Sequence, residues 1–190
     1  MLVLKENIDN LAEVFNISAR ENIPLIFPTD TIYGIGASIS SILANQEIYK
    51  IKKRPEHKPF PILAGSFEQA ELIADFKSLN STNYKFICEN YNKYITFIIK
   101  ANESLPDIFK KDNKVAVRIP NKKILCKSLL LHGFPVSATS VNESGQNFLN
   151  NISYIIRDFD KIKLFIEGCT IQNISSSIYD ISGENIVKIR

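Results

Sequence analysis

No stretch of the 190-residue sequence approaches the ~20 consecutive apolar residues that a membrane-spanning helix needs. The N-terminus, MLVLKENIDN, has neither the charged leader nor the apolar run of a secretion signal, so a cytoplasmic protein with no membrane attachment is expected. Cysteine is scarce. Cys88, Cys126 and Cys169 are odd in number and far apart, matching neither a disulfide framework nor zinc-ligand spacing, and they read as buried, reduced thiols. The only histidines are His57 and His132, and there is no G-x-S-x-G elbow, which argues against a serine-hydrolase triad. His57, in a charged turn, is expected to be exposed. G-x-x-x-x-G-K-S/T, G-x-G-x-x-G and H-E-x-x-H are also absent, so any anion is held without the common nucleotide or zinc motifs. No internal repeat, low-complexity tract or Gly/Ser linker divides the chain, and a single domain over 1–190 is expected.

What is present is ordinary in bulk, with 45% hydrophobic and 23% charged residues. The net charge of +3 is unevenly spread. Residues 1–48 carry 2 positive and 6 negative side chains, whereas 49–58 carry 5 and 1, and 110–127 carry 7 and 1. Two short cationic windows therefore sit on an otherwise acidic body. Such clusters suit a polyanion, either nucleotide phosphates or RNA; equally, they suit two solvated, lysine-decorated surfaces.

Ile8, Leu11, Phe15 and Ala19 recur at helical spacing over about 8–20. PLIF (24–27) reads as a buried strand, followed by a polar turn at Thr29-Asp30. A second helix is expected over about 41–53, ending near Arg54 because Pro55 follows. PFPILAG is a strand candidate, and Ser66-Phe67-Glu68-Gln69 has the form of a capping box opening a helix. YITFIIK (94–100), VAVRI (115–119) and PVSAT (135–139) read as strands, 121–132 as a helix and 140–150 as a loop. Short strands at LFIEG, SIYDI and NIVKIR complete the chain. Interleaving of this kind argues for an α/β fold.

Three constellations can do chemistry. In PTDTIYGIG (28–36), the hydroxyls of Thr29, Thr31 and Tyr33 crowd one turn with Asp30, and Gly34 and Gly36 would let backbone approach a ligand. Lys52, Lys53 and Arg54, with Lys58 beyond the proline, form the second. Lys52 and Arg54 can turn toward one pocket if the helix unravels there, or they can simply be a basic helix C-terminus. The third, SATSVNESG (137–145), follows a strand, where Ser140 and Asn142 could bind phosphate or ribose. Arg118 lies within an apolar strand. Burying it is costly unless it is paired, so a bound carboxylate or an internal Asp or Glu is expected beside it.

Taken in order, PTDTIYGIG, Lys52-x-Arg54-Pro55, VAVRIP, Ser140-x-Asn142-x-Ser144-Gly145 and the terminal SSIYD…VKIR resemble the YrdC domain family, the threonylcarbamoyl-AMP synthases, from about residue 10 to 190. The resemblance implies a twisted, open mixed sheet with packed helices around a concave basic cavity. It implies that L-threonine, bicarbonate and ATP are condensed to threonylcarbamoyl-AMP and pyrophosphate, Mg²⁺ arriving with the nucleotide. The product would pass to a transferase complex that modifies tRNA. By the same resemblance Thr31, Arg118 and Ser176 would bind threonine, and Lys52 and Arg54 would be the catalytic cations on the phosphates. Lys58, Ser140, Asn142 and Arg190 would contact the nucleotide. The sequence departs from the family pattern at Asn92-Lys93-Tyr94-Ile95-Thr96, where relatives have Pro-Gly-Pro-x-Thr, and at Ser175, where they have proline. A non-synthetic paralogue of the same fold and a binding module for structured RNA are the competing readings; the intact Lys52-x-Arg54 and Ser140-x-Asn142 pairs argue against the first, and the second lacks an aromatic-interleaved basic strand.

Overall fold

Leu11, Val14, Phe15 and Ser18 are fully buried, which gives the first helix, α1 (Ile8–Glu21), one apolar stripe. Asn7 caps its start by accepting from the Asn10 N–H, and Asn22, in the left-handed region at φ 56°, ends it. The computed structural model describes residues 1–149, 151–170 and 174–190. After β1 (Leu2–Lys5) and α1 come β2 (Leu25–Pro28), β3 (Tyr33–Ser38), α2 (Ile42–Ile51), β4 (Ile62–Leu63), α3 (Phe67–Ala70) and α4 (Ser81–Asn90). They are followed by β5 (Ile95–Lys100), β6 (Lys114–Arg118), α5 (Lys123–His132), β7 (Val136–Ser140), α6 (Ile152–Asp158), β8 (Leu164–Glu167), β9 (Ser177–Asp180) and β10 (Val187–Lys188).

Among the described residues the strands form one open mixed sheet, ordered β1-β8-β2-β3-β7-β4-β6-β5-β9-β10. β2–β3, β3–β7, β4–β7 and β5–β6 are antiparallel, whereas β4–β6 and β5–β9 are parallel. Period-two alternation sends Leu25 and Phe27 to one core with α1 and α5, and Ile26 to another with α2 and α6. A third core gathers Phe97, Ile99, Val115 and Val117 beneath α3 and α4. Because Val115 and Val117 face that core, Arg118 is forced to the opposite face of β6.

Several elements differ from the sequence reading. Tyr33, expected to crowd the turn with Thr29 and Thr31, instead opens a strand, Tyr33–Ser38, buried along its whole length and not expected from the sequence. Gly36 serves β7 rather than a ligand: a Cβ there would lie 1.8 Å from the Ser137 carbonyl oxygen. The capping box at Ser66 opens only a four-residue helix, and α4 follows separately. β1 and α6 had no counterpart in that reading, and position 150, the end of its 140–150 loop, lies outside the described residues. Cys88 and Cys169 are exposed rather than buried, being on the outer side of α4 and just past β8, while burial pushes the Cys126 thiol up to about 11.

His132 joins α5 to α1 and β3. Asn16 Oδ1 can only accept, so Nδ1 donates to it (2.7 Å), and Nε2 accepts from Ser38 Oγ (2.8 Å). This network fits the neutral imidazole, and burial lowers the pKa below its ordinary 6.5. The unfolded chain therefore takes up the proton first. Stability is expected to be full above about pH 6.5 and to fall as pH drops below it, until the folded-state pKa is reached. Urea denaturation across pH 5–8, with His132→Gln flattening the acid limb, checks this.

Candidate functional site

One face of the sheet carries an open cavity of about 590 Å³ lined by residues of β3, β5, β6, β7 and β9. Arg54, Lys58, Lys111, Lys114, Arg118 and Arg190 line it, against Asp112 and Asp180. Asp180 is already engaged by Lys114 (2.9 Å) and by Ser182. Thr29, Thr31, Thr96, Ser140 and Ser176 supply hydroxyls.

Arg118 is the most constrained group. The residue is 5% exposed, and its Nη2 donates to Asp30 Oδ2 (2.8 Å) while Nη1 donates to Thr31 Oγ1 (3.1 Å). Burial lowers its pKa and the Asp30 carboxylate opposes that shift. The internal acid is thus Asp30, which the sequence reading had placed in the turn but had not connected to β6. Thr29 spends its proton on the Ile32 carbonyl (2.6 Å), so in its 3.0 Å contact with Thr31 it is the acceptor. Thr31 therefore donates to Thr29 and accepts from Arg118. Tyr33 leaves the turn altogether: its hydroxyl donates to Gly168 O (2.6 Å) and accepts from Gly168 N (3.0 Å).

On β5, the strand paired with β6 beside Arg118, Thr96 Oγ1 meets Ser176 Oγ at 2.8 Å. Arg190 lays its guanidinium on the Ser176 carbonyl, from Nε at 3.2 Å and Nη2 at 2.9 Å. The threonine kept from the altered 92–96 segment is therefore the residue that orients Ser176. The segment enters β5 through Tyr94 at φ 58°, a left-handed conformation costly for a bulky side chain.

The two cations at the end of α2 diverge rather than sharing a pocket. α2 stops at Ile51, and Lys53 at φ 49° reverses the backbone. Arg54 reaches the cavity; its Nε donates to Lys58 O (2.7 Å), and its guanidinium lies 5.2 Å from the Phe60 ring centre. Lys52, 1% exposed, turns the other way. Its ammonium donates to the carbonyls of Ser140 and Asn142, the latter at 2.6 Å, and to Asn142 Oδ1 at 3.0 Å. Burial, then the neighbouring Arg54, pushes its pKa down to about 7, while these acceptors favour the charged form. Among the assigned residues, Lys52 and Asn142 do not reach the cavity wall. Asn142 faces a second cleft, with its Nδ2 on Gln146 O (2.6 Å), and holds Ser140 Oγ at 2.6 Å. Ser140 does line the cavity, as do Thr31, Arg54, Lys58, Arg118, Ser176 and Arg190. Among the described residues no group of three His, Cys, Asp or Glu is placed to hold a metal, and no helix is long and apolar enough to cross a membrane.

A family model described as "Telomere recombination", covering Sua5, YciO and YrdC proteins, matches residues 19–190. A threonylcarbamoyl-AMP synthase of Pyrococcus abyssi is 30% identical over 166 residues, 86% of this chain but 48% of that protein. The chain thus spans about half the length of that relative. A threonylcarbamoyl-AMP synthase of Wigglesworthia glossinidia brevipalpis is 29% identical over 147 residues, 77% of this chain and 75% of the relative. Among solved structures, that of P. abyssi Sua5 complexed with L-threonine superposes with a TM-score of 0.89 at 25% identity, covering 100% of this chain and 57% of that one. E. coli YciO, at 18% identity, a TM-score of 0.85 and 100% and 93% coverage, shares the fold.

Proposed function

The chain belongs to the Sua5/YciO/YrdC family, and from that premise we propose that it condenses L-threonine, bicarbonate and ATP to threonylcarbamoyl-AMP and pyrophosphate. The observation that carries this is the half-used Arg118 guanidinium: a buried arginine with five N–H donors, of which Asp30 and Thr31 take two, at the wall of a cavity of about 590 Å³. A carboxylate is the natural third partner for such a fork. The relatives named as synthases and the L-threonine complex of P. abyssi Sua5 support threonine as its owner. Thr31, bonded to Arg118, and Ser176, bonded to Thr96 on the adjacent strand, would meet the rest of the amino acid, and Arg54, Lys58, Ser140 and Arg190 the nucleotide.

In the proposed reaction the threonine amine and bicarbonate give a carbamate and water, the N–C bond forming as a C–O bond of bicarbonate breaks. A carbamate oxygen then attacks the α-phosphorus of ATP; the new O–P bond forms as the bond to pyrophosphate breaks. No protein nucleophile is required, so alignment and charge stabilisation supply the catalysis. Arg54 and Lys58 would carry the phosphate charge, while Lys52 would fix the 140–142 backbone from below. Mg²⁺ would arrive with the nucleotide phosphates, since no group of three His, Cys, Asp or Glu among the described residues is placed to hold it. The product would pass to a tRNA threonylcarbamoyl transferase complex. The preponderance of cations at the cavity also leaves weak RNA binding as a salt-sensitive side property.

Threonine and valine are nearly isosteric, so only a site that hydrogen-bonds the hydroxyl separates them strongly. Adenylate formation followed by mass spectrometry is expected to favour threonine over valine by at least ~10²-fold, with serine between them. Comparable product from valine would show that these hydroxyls do not read the side chain.

A further inference from the structure

Asp30 does not line the cavity, yet it sits behind the residue on which the proposed substrate carboxylate depends. It is fully buried in the turn between β2 and β3, and one of its oxygens does all of its bonding. Oδ2 accepts from Arg118 Nη2 at the end of β6 and from the Asn121 N–H just beyond, both at 2.8 Å. Oδ1 is buried without a hydrogen-bond partner, and so is Arg118 Nε.

We propose that Asp30 is a positioning residue whose single shared oxygen fixes the Arg118 guanidinium while leaving one hydrogen on each terminal nitrogen free for a substrate carboxylate. The inference rests on the threonine-binding reading above. A carboxylate that met Arg118 with both oxygens would saturate one edge of the guanidinium. Here the Asn121 N–H competes for Oδ2, the pair stays single, and Nε together with one hydrogen on each terminal nitrogen remains unspent. Thr31 Oγ1 holds the other terminal nitrogen at 3.1 Å, so consecutive residues of one turn set the fork's position. What this arrangement requires of residue 30 is an acceptor oxygen at a fixed reach. A residue present only to neutralise a buried arginine would require the negative charge instead.

Asp30→Asn keeps the reach and one acceptor oxygen but removes the charge; Asp30→Glu keeps the charge but moves the oxygen outward by one methylene. Both variants of the full chain are compared with wild type by calorimetric titration of L-threonine and, separately, of ATP with Mg²⁺, alongside melting temperature. The proposal predicts that Asp30→Glu weakens threonine at least ~10-fold while changing ATP less than ~3-fold, as a displaced fork should. Asp30→Asn should bind threonine within ~3-fold of wild type. The reverse pattern, with Asp30→Glu normal and Asp30→Asn impaired or unfolded, would overturn it and leave Asp30 as a charge partner only. Equal losses for both ligands would overturn it too. If Asp30→Glu does not fold, Asp30→Asn decides: near-normal threonine binding supports the positioning role, and a loss above ~10-fold rejects it. If wild type binds no threonine, the functional reading itself fails, a result distinct from any of these.

Discussion

Arg118→Met is expected to raise the threonine KM at least ~30-fold while leaving the KM for ATP within a few-fold, because losing one partner of a desolvated charge pair costs ~2–5 kcal/mol. The substitution also strands Asp30, whose carboxylate is fully buried and keeps only the Asn121 N–H. Breaking a buried pair costs ~3–5 kcal/mol, so the single variant should also melt early. The double variant Arg118→Met with Asp30→Asn removes the stranded charge. It is expected to recover much of the melting temperature and none of the threonine affinity. Recovery of both would show that Arg118 is structural and touches no substrate.

Arg54→Ala has the other large expected effect. Arg54 is half-buried, lies on the cavity wall, and ties the 54–60 turn through the carbonyls of Lys58 and Pro59 and the face of Phe60. Removing a group that stabilises charge developing on phosphate oxygens typically lowers kcat by ~10²–10³. The fold should survive, since no buried charge is left behind. Arg54→Lys should recover part of the rate by restoring a point charge without the fork. Unchanged turnover in Arg54→Ala would remove this residue from the proposed chemistry.

Much of this was legible in the sequence where the signal is local. Apolar spacing marked α1, β-branched runs marked β5 and β6, and Pro55 marked the end of α2. The strand at 33–38 was hidden because glycines suit it only when β7 crosses closely, and Ser137 lies 100 residues away in sequence. α4, STNYKFICEN, is polar on most of its surface and has only Asn83 and Ile87 buried, so its period was too weak to see. The pairing of Asp30 with Arg118, 88 positions apart, follows from sheet order, which no local pattern encodes. A cost visible in sequence, a charge inside VAVRI, did announce that a partner existed. Lys52 misled for a related reason: a lysine beside a helix end is ordinarily solvated, and only the register of β7 shows three carbonyl oxygens waiting for it.

Synthesis of threonylcarbamoyl-AMP by this chain is read out by pyrophosphate release from the purified protein in ATP, Mg²⁺ and bicarbonate. It is to be followed as L-threonine is titrated from zero. Release is expected to be saturable, absent without threonine, absent without bicarbonate, and strongly reduced in Arg54→Ala. Release independent of threonine, or no release from a folded protein that binds ATP, would contradict threonylcarbamoyl-AMP synthesis by this chain.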